Sequence, residues 1–236
     1  MPALFRRRQV ILPTLLGWLL AFALLGAAGT LVARHLGGWL AVSEPAEGPP
    51  AQWLVVEGWL GERELDAAAA FARLRGYRRV VTTGGPITSF ASHATYAERA
   101  AHRLQALLPG VHVEAVPMPA TKQDRTYASA VWLRDWAQQR AVPTEAIDVY
   151  SLGAHARRTR ILYRMAFGEA TRIGIIAGPP HDSDMERWWT TSEAAKMVVM
   201  EAASLVWTGC CFWPAPRGSH DERWGAPPRA RAASAP

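Results

Sequence analysis

From Trp53 onward the chain alternates between two kinds of segment, and this alternation limits its fold more than any other feature. WLVVEG reads as a buried strand, ERELDAAAAFARLRG as a helix closed by Gly76, and RRVVTTGG as a second strand. The cycle repeats. Ala94 to Leu108 has helical periodicity, VHVEAV is strand-like, Arg125 to Gln139 is helical, AIDVYSL is strand-like, Ala156 to Phe167 is helical, TRIGIIAG is strand-like, and Thr191 to Trp207 closes with a helix. Strands separated by helices of this length require right-handed crossovers and a parallel sheet covered on both faces. Apolar runs such as LVV, RVV and GII suit strands buried on both sides. The expected fold is α/β: a Rossmann-like three-layer sandwich with a mostly parallel sheet of about five strands.

Upstream lies a second constraint. Gln9 to Ala33 runs 25 residues without a charge, enough to cross a hydrocarbon core of about 30 Å. A cleaved signal peptide would carry a shorter apolar region, so the run reads as an uncleaved transmembrane helix. Arg6, Arg7 and Arg8 precede it, which by the positive-inside rule places residues 1–8 in the cytoplasm and the following domain outside it. Residues 34–52 then form a Pro- and Gly-containing linker, 53–213 the α/β domain, and 214–236 a Pro-, Ala- and Arg-rich tail expected to be disordered. The net charge of +6 is dispersed and no nucleic-acid-binding motif accompanies it, so nucleic acid is not an expected partner. The two cysteines, Cys210 and Cys211, are adjacent and offer neither a disulfide framework nor a CxxC zinc site.

In an open parallel sheet, ligands bind beyond the carboxyl ends of the strands. The first strand contributes Glu57 there, either to orient an arginine or to act as a base. The second ends in TTGGP, where Thr83 offers a hydroxyl and Gly84 and Gly85 let a backbone approach closely, as in a tight turn or a ligand contact. After the third strand TKQDRTYASA sets Lys122, Arg125 and Thr126 around a helix start. After the fourth, SLGAHARRTRILY sets His155, Arg157, Arg158 and Arg160 at another. Cations at a helix N-terminus cost about 0.3–1 kcal/mol each. A bound anion would offset that cost, and arginine forks suit phosphate or carboxylate. Glu98, in the first turns of its helix, either faces the same rim or pairs with neighbours. HDSD (181–184) could ligate a metal, but an Asp- and Ser-rich turn is the commoner explanation, so no metal is expected; nor is a cofactor.

VVEGW, TTGGP, YAERAA, DRTYASA and SLGAHARRTRILY, in that order, resemble the YdcF/SanA/ElyC family of bacterial envelope proteins over about Trp53 to Trp207. The resemblance implies a Rossmann-like domain, often membrane-tethered, acting in envelope integrity, peptidoglycan assembly or lipid-carrier metabolism. It also implies a polar cluster at Gly84, Gly85, Glu98, Arg125, Thr126, His155 and Arg158. The first strand here ends in EGW, where many relatives carry a Gly-rich turn. The resulting expectation is a single-pass inner-membrane protein anchored through residues 9–33. Its outward domain binds, and either processes or merely holds, an anionic or phosphorylated small molecule or lipid headgroup. In that reading Glu57, Glu98 and His155 are the candidate acid/base groups. Thr83, Gly84, Gly85, Arg125, Thr126, His155 and Arg158 are the ligand contacts. The rival is a non-enzymatic envelope factor that docks a protein partner.

Overall fold

The computed structural model describes residues 12–87, 93–121 and 124–223. The basic end at 1–8, Lys122, and positions 224–236 of the expected tail lie outside the described residues. The chain divides into two units, residues 1–36 and 37–236.

Within the described residues the first unit is the helix α1 (Leu15–Leu40), which runs on into the second unit. It begins where Thr14, following Pro13, accepts a hydrogen bond on Oγ1 from the amide of Gly17 (3.2 Å). α1 is long and apolar enough to span a membrane, about 39 Å at 1.5 Å per residue. Of the expected span of 9–33, residues 9–11 lie outside the described residues; the helix covers 15–33 and continues through Arg34 and His35 to Leu40. Gly37 and Leu40 are buried in the second unit.

The second unit has the expected α/β order: β1 (Trp53–Glu57), α2 (Glu62–Arg75), β2 (Arg79–Gly84), α3 (Tyr96–Leu107), β3 (His112–Pro117), α4 (Arg125–Gln139), β4 (Ala146–Leu152), α5 (Ala156–Phe167), β5 (Arg172–Gly178) and α6 (Ser192–Cys210). The five strands form one parallel sheet in the order β3-β2-β1-β4-β5. Alternation along each strand fills two cores. Trp53, Val55, Val81, Ile147, Val149 and Ile175 face α4 and α5, while Leu54, Val56, Val80, Tyr150 and Ile176 face α2 and α3. The result is the three-layer sandwich read from the periodicity.

Three segments depart from expectation. Part of the linker is tied down: Glu44 exchanges backbone hydrogen bonds with Ile175 (2.8 Å each way), shielding the edge strand β5. Its neighbour Ala46 donates to the buried carboxylate of Asp148 (2.7 Å), which Tyr77 also reaches (2.6 Å). Residues 214–223, expected to be disordered, are packed. Glu222 is fully buried and accepts hydrogen bonds from Arg134 (2.7 and 2.8 Å), Tyr127 Oη (2.9 Å) and the Gly218 amide (2.6 Å). A composition poor in apolar residues concealed this, because one acid meeting a buried arginine is enough to pin the segment. Cys210 and Cys211 form a disulfide with each other at the end of α6.

Candidate functional site

The sheet order reverses between β1 and β4: β2 and β3 lie on one side, β5 on the other. Open α/β sheets place their binding crevice at the carboxyl ends of such a strand pair. A cleft of about 1030 Å³ lies there, at the upper end of the range for small-molecule sites.

Glu57, the last residue of β1, forms its floor. Only 4 % of it is exposed, and its carboxylate accepts hydrogen bonds from Ser151 Oγ on β4 and from Thr159 Oγ1 on α5 (3.4 Å). Ser151 is thus a partner of Glu57 and makes no hydrogen bond to His155. Across the switch point, β4 turns into α5 through the 3-10 turn Gly153–His155. Gly153 adopts φ +44°, and a Cβ there would lie 2.8 Å from Pro180 and 3.1 Å from Met197, so the turn needs glycine.

That turn sets the imidazole of His155 between two carboxylates. Nδ1 donates to Glu201 Oε1 at 2.8 Å, while Nε2 lies 3.6 Å from Glu57 Oε1 and 3.4 Å from Thr126 Oγ1. The Trp59 ring meets it edge-on at 5.4 Å. Burial disfavours the charged ring, but Glu57 and Glu201 more than offset that and lift its pKa to about 9. His155 is therefore an imidazolium at neutral pH: a poor base, but a fixed cation with an Nε2 proton to donate.

Glu201, on α6, is the hub of the network. It also accepts Arg158 Nε (2.8 Å) and Nη2 (3.2 Å). Burial would raise its pKa, yet the bonds from His155 and Arg158 bring it down to about 2. Arg158 Nη1 reaches Asp124 (3.2 Å), which caps α4 by accepting from the amides of Thr126 (3.0 Å) and Tyr127 (3.1 Å). The 3.1 Å approach of Arg158 Nη2 to His155 Nδ1 is the meeting of two donors that share Glu201.

The cations at the start of α5 thus have partners inside the protein. Arg158 pairs with Glu201 and Asp124, and Arg160 with Glu44. Arg157 donates to the Trp39 carbonyl (2.7 Å) and lies over the Trp39 ring at 4.0 Å. For Arg158 and Arg160 carboxylates, and for Arg157 a carbonyl and a ring, supply the compensation expected of a ligand. Arg125 differs. It lines the cleft, is exposed, and makes no ion pair or hydrogen bond among the described residues.

Of the sequence candidates, Glu57, Thr83, Gly84, Gly85, Arg125, Thr126, His155 and Arg158 line this one cleft. Thr83 is buried with Oγ1 3.4 Å from Tyr163 Oη. Gly84 serves close packing: a Cβ there would meet Tyr96 Cβ at 2.8 Å, where α3 starts. Glu98 does not line the cleft. Its carboxylate accepts from the Thr95 amide and hydroxyl (both 2.9 Å), closing a capping box at the start of α3. Sequence reasoning missed Glu201, Asp124, and the aromatic wall of Trp59, Tyr96 and Trp207. Asp124 alone carried a local signal, an acid directly before a helix. Among the described residues, no group of three His, Cys, Asp or Glu is arranged to hold a metal ion.

Compared with known proteins, the chain matches no family model and no curated protein.

Proposed function

We propose that this is a single-pass inner-membrane protein of the YdcF/SanA/ElyC type, whose domain outside the cytoplasm binds an anionic, phosphate-bearing small molecule in the switch-point cleft. One observation carries the reading: a charged imidazole lines the cleft at the junction of β1 and β4, its Nε2 set between Thr126 Oγ1 (3.4 Å) and Glu57 (3.6 Å). Arg125, lacking an internal partner among the described residues, is the second cation offered to a ligand, and the Thr126 hydroxyl stands between the two. Arg158 acts through Glu201 and Asp124, keeping His155 and the start of α4 in place. If the ligand is turned over, the Nε2 proton is the one available to a leaving oxygen. The apolar α1, Arg6 to Arg8 before it, and a disulfide between Cys210 and Cys211 support export of the domain into an oxidising compartment.

The test is a thermal-shift panel on the full chain in detergent, with inorganic phosphate, phosphomonoesters and simple carboxylates. A ligand that binds only the folded state raises its melting temperature. Phosphate compounds are expected to do so for the wild type, and Arg125→Ala to lose the shift while melting normally without ligand. Affinity should also fall as pH rises through about 9, where His155 discharges. No shift with any anion, or an undiminished shift in Arg125→Ala, would overturn the reading.

A further inference from the structure

α6 presents two unlike sides. Ala194, Val198 and Thr208 are buried, and Glu201 turns into the cleft. Its first turns expose Ser192, Glu193 and Lys196, and from Val199 onward the outer side is apolar: Val199 (55 % exposed), Met200 (63 %), Val206 (69 %) and Trp207 (46 %), continued past the helix end by Trp213 (81 %). No charged residue occurs between Glu201 and Arg217. The spacing 199, 203, 206, 210 is that of a single helical stripe, and a contiguous exposed stripe of this kind marks an interaction surface.

We infer that this stripe lies in the headgroup interface of the bilayer that α1 enters. The occupant follows from three features. The first is connection: α1, long and apolar enough to span a membrane, continues without a break to Leu40 and leads directly into the domain, so a membrane surface lies within its reach. A tether this short makes even a weak surface contact effectively intramolecular. The second is residue chemistry. Two tryptophans sit toward one end of the stripe and the exposed Lys196 lies one turn before Val199, types that favour the boundary between acyl chains and headgroups. The third is what the stripe lacks. Protein docking surfaces carry a polar rim that sets register, whereas α6 after Glu201 has no charge to serve as one. An interfacial helix needs only an apolar face sunk about 5–10 Å into the boundary.

The stripe and the cleft share a border. Ala203 and Trp207 belong to the exposed side of α6 and also line the cleft. Docking of α6 would bring the cleft mouth to the membrane surface. This inference does not depend on which ligand the cleft holds.

The test uses the full chain with Cys210→Ser and Cys211→Ser, and a single new cysteine from Val206→Cys carrying a polarity-sensitive nitrobenzoxadiazole label. It is reconstituted into vesicles of phosphatidylcholine and phosphatidylglycerol, with or without doxyl-labelled phosphatidylcholine. Leu74→Cys on α2, 83 % exposed, serves as the comparison site, and Val199→Cys repeats the measurement one turn earlier on α6. Labels at 206 and 199 are expected to shift to the blue in vesicles and to lose more than half of their emission to the lipid quencher, while the label at 74 loses little. Equal quenching at 74 and at the two α6 sites would overturn the inference. So would shielding of the α6 labels from aqueous iodide in detergent as well as in vesicles, which would show that a second copy or another protein surface covers them. A chain that fails to float with the vesicles would overturn the membrane anchor and this inference together; a chain that floats with unquenched labels overturns only the latter.

Discussion

Two buried clusters of charge in the same domain look alike in composition and differ in what they leave open. In one, Arg134 is gripped by Glu222 and Asp135, Tyr127 Oη and the Gly218 amide also donate to Glu222, and no member lines the switch-point cleft. In the other, Glu57, His155, Glu201, Arg158 and Asp124 are equally well paired, yet they stand at the carboxyl ends of β1 and β4 and form one side of the cleft. Burial and ion pairing therefore do not distinguish structure from function. The difference lies in position: His155, Glu57 and Thr126 border the large cleft at the switch point, whereas Arg134 and Glu222 do not line it.

That comparison would break first at Glu222. Glu222→Ala leaves a buried guanidinium without its main partner, a change that costs about 3–5 kcal/mol. Urea denaturation should show a loss of that size with anion binding retained at temperatures where the variant is folded. A loss below 1 kcal/mol would mean that the closed cluster is not structural. The next test is pH. The folded-state pKa of His155 lies near 9, above the ordinary value of 6.5, so its contribution is fully present below 6.5 and is lost as pH rises through 9. The difference amounts to about 3 kcal/mol. Glu201 behaves in the opposite sense: with its folded pKa near 2, its contribution is present above 4.5 and disappears as pH falls. Stability from this cluster should therefore be greatest between about pH 4.5 and 6.5, and His155→Gln should remove the alkaline slope while sparing the closed cluster. A slope unchanged in His155→Gln would assign it to other groups.

The smallest effects separate the two arginines at the cleft. Arg158→Ala strips two charged hydrogen bonds from Glu201 and one from Asp124, and should cost about 1.5–3 kcal/mol. Arg125→Ala removes an exposed side chain without a partner among the described residues and should change stability by less than about 0.5 kcal/mol. Thermal melts of both, without ligand, measure the contrast. Equal losses would mean that Arg125 is as structural as Arg158.

The layers of the fold were legible because a parallel sheet writes them into local sequence. β4, α4 and α5 begin and end where the apolar runs and helical periods do. The site was legible only in part. Strand-end positions located Glu57 and His155, but the meaning of His155 depends on Glu201, which follows it by 46 residues on a helix whose periodicity gives no hint of the pairing. Arg158 looked like a cation awaiting an anion because its carboxylates come from two other elements, α6 and the cap of α4. Glu98 looked like a rim residue because a capping acid and a catalytic acid occupy the same helical position, and only the hydrogen bonds to Thr95 tell them apart. Glu222 was hidden for a different reason, since a single anchor does not alter the average composition of a Pro- and Gly-rich segment.

The burial of Glu222 also sets an order of events during synthesis. It bonds to Arg134 and Tyr127 across 88 and 95 residues of sequence, and those residues lie on α4, which packs against the sheet. While the chain is still emerging, all five strands can pair before residue 222 is available, leaving a guanidinium and a phenol facing the space Glu222 will fill. Such a nascent domain has native topology with one polar gap, a species on which chaperones or proteases have time to act. Native closure then waits on a residue that follows every strand and every long helix of the described chain.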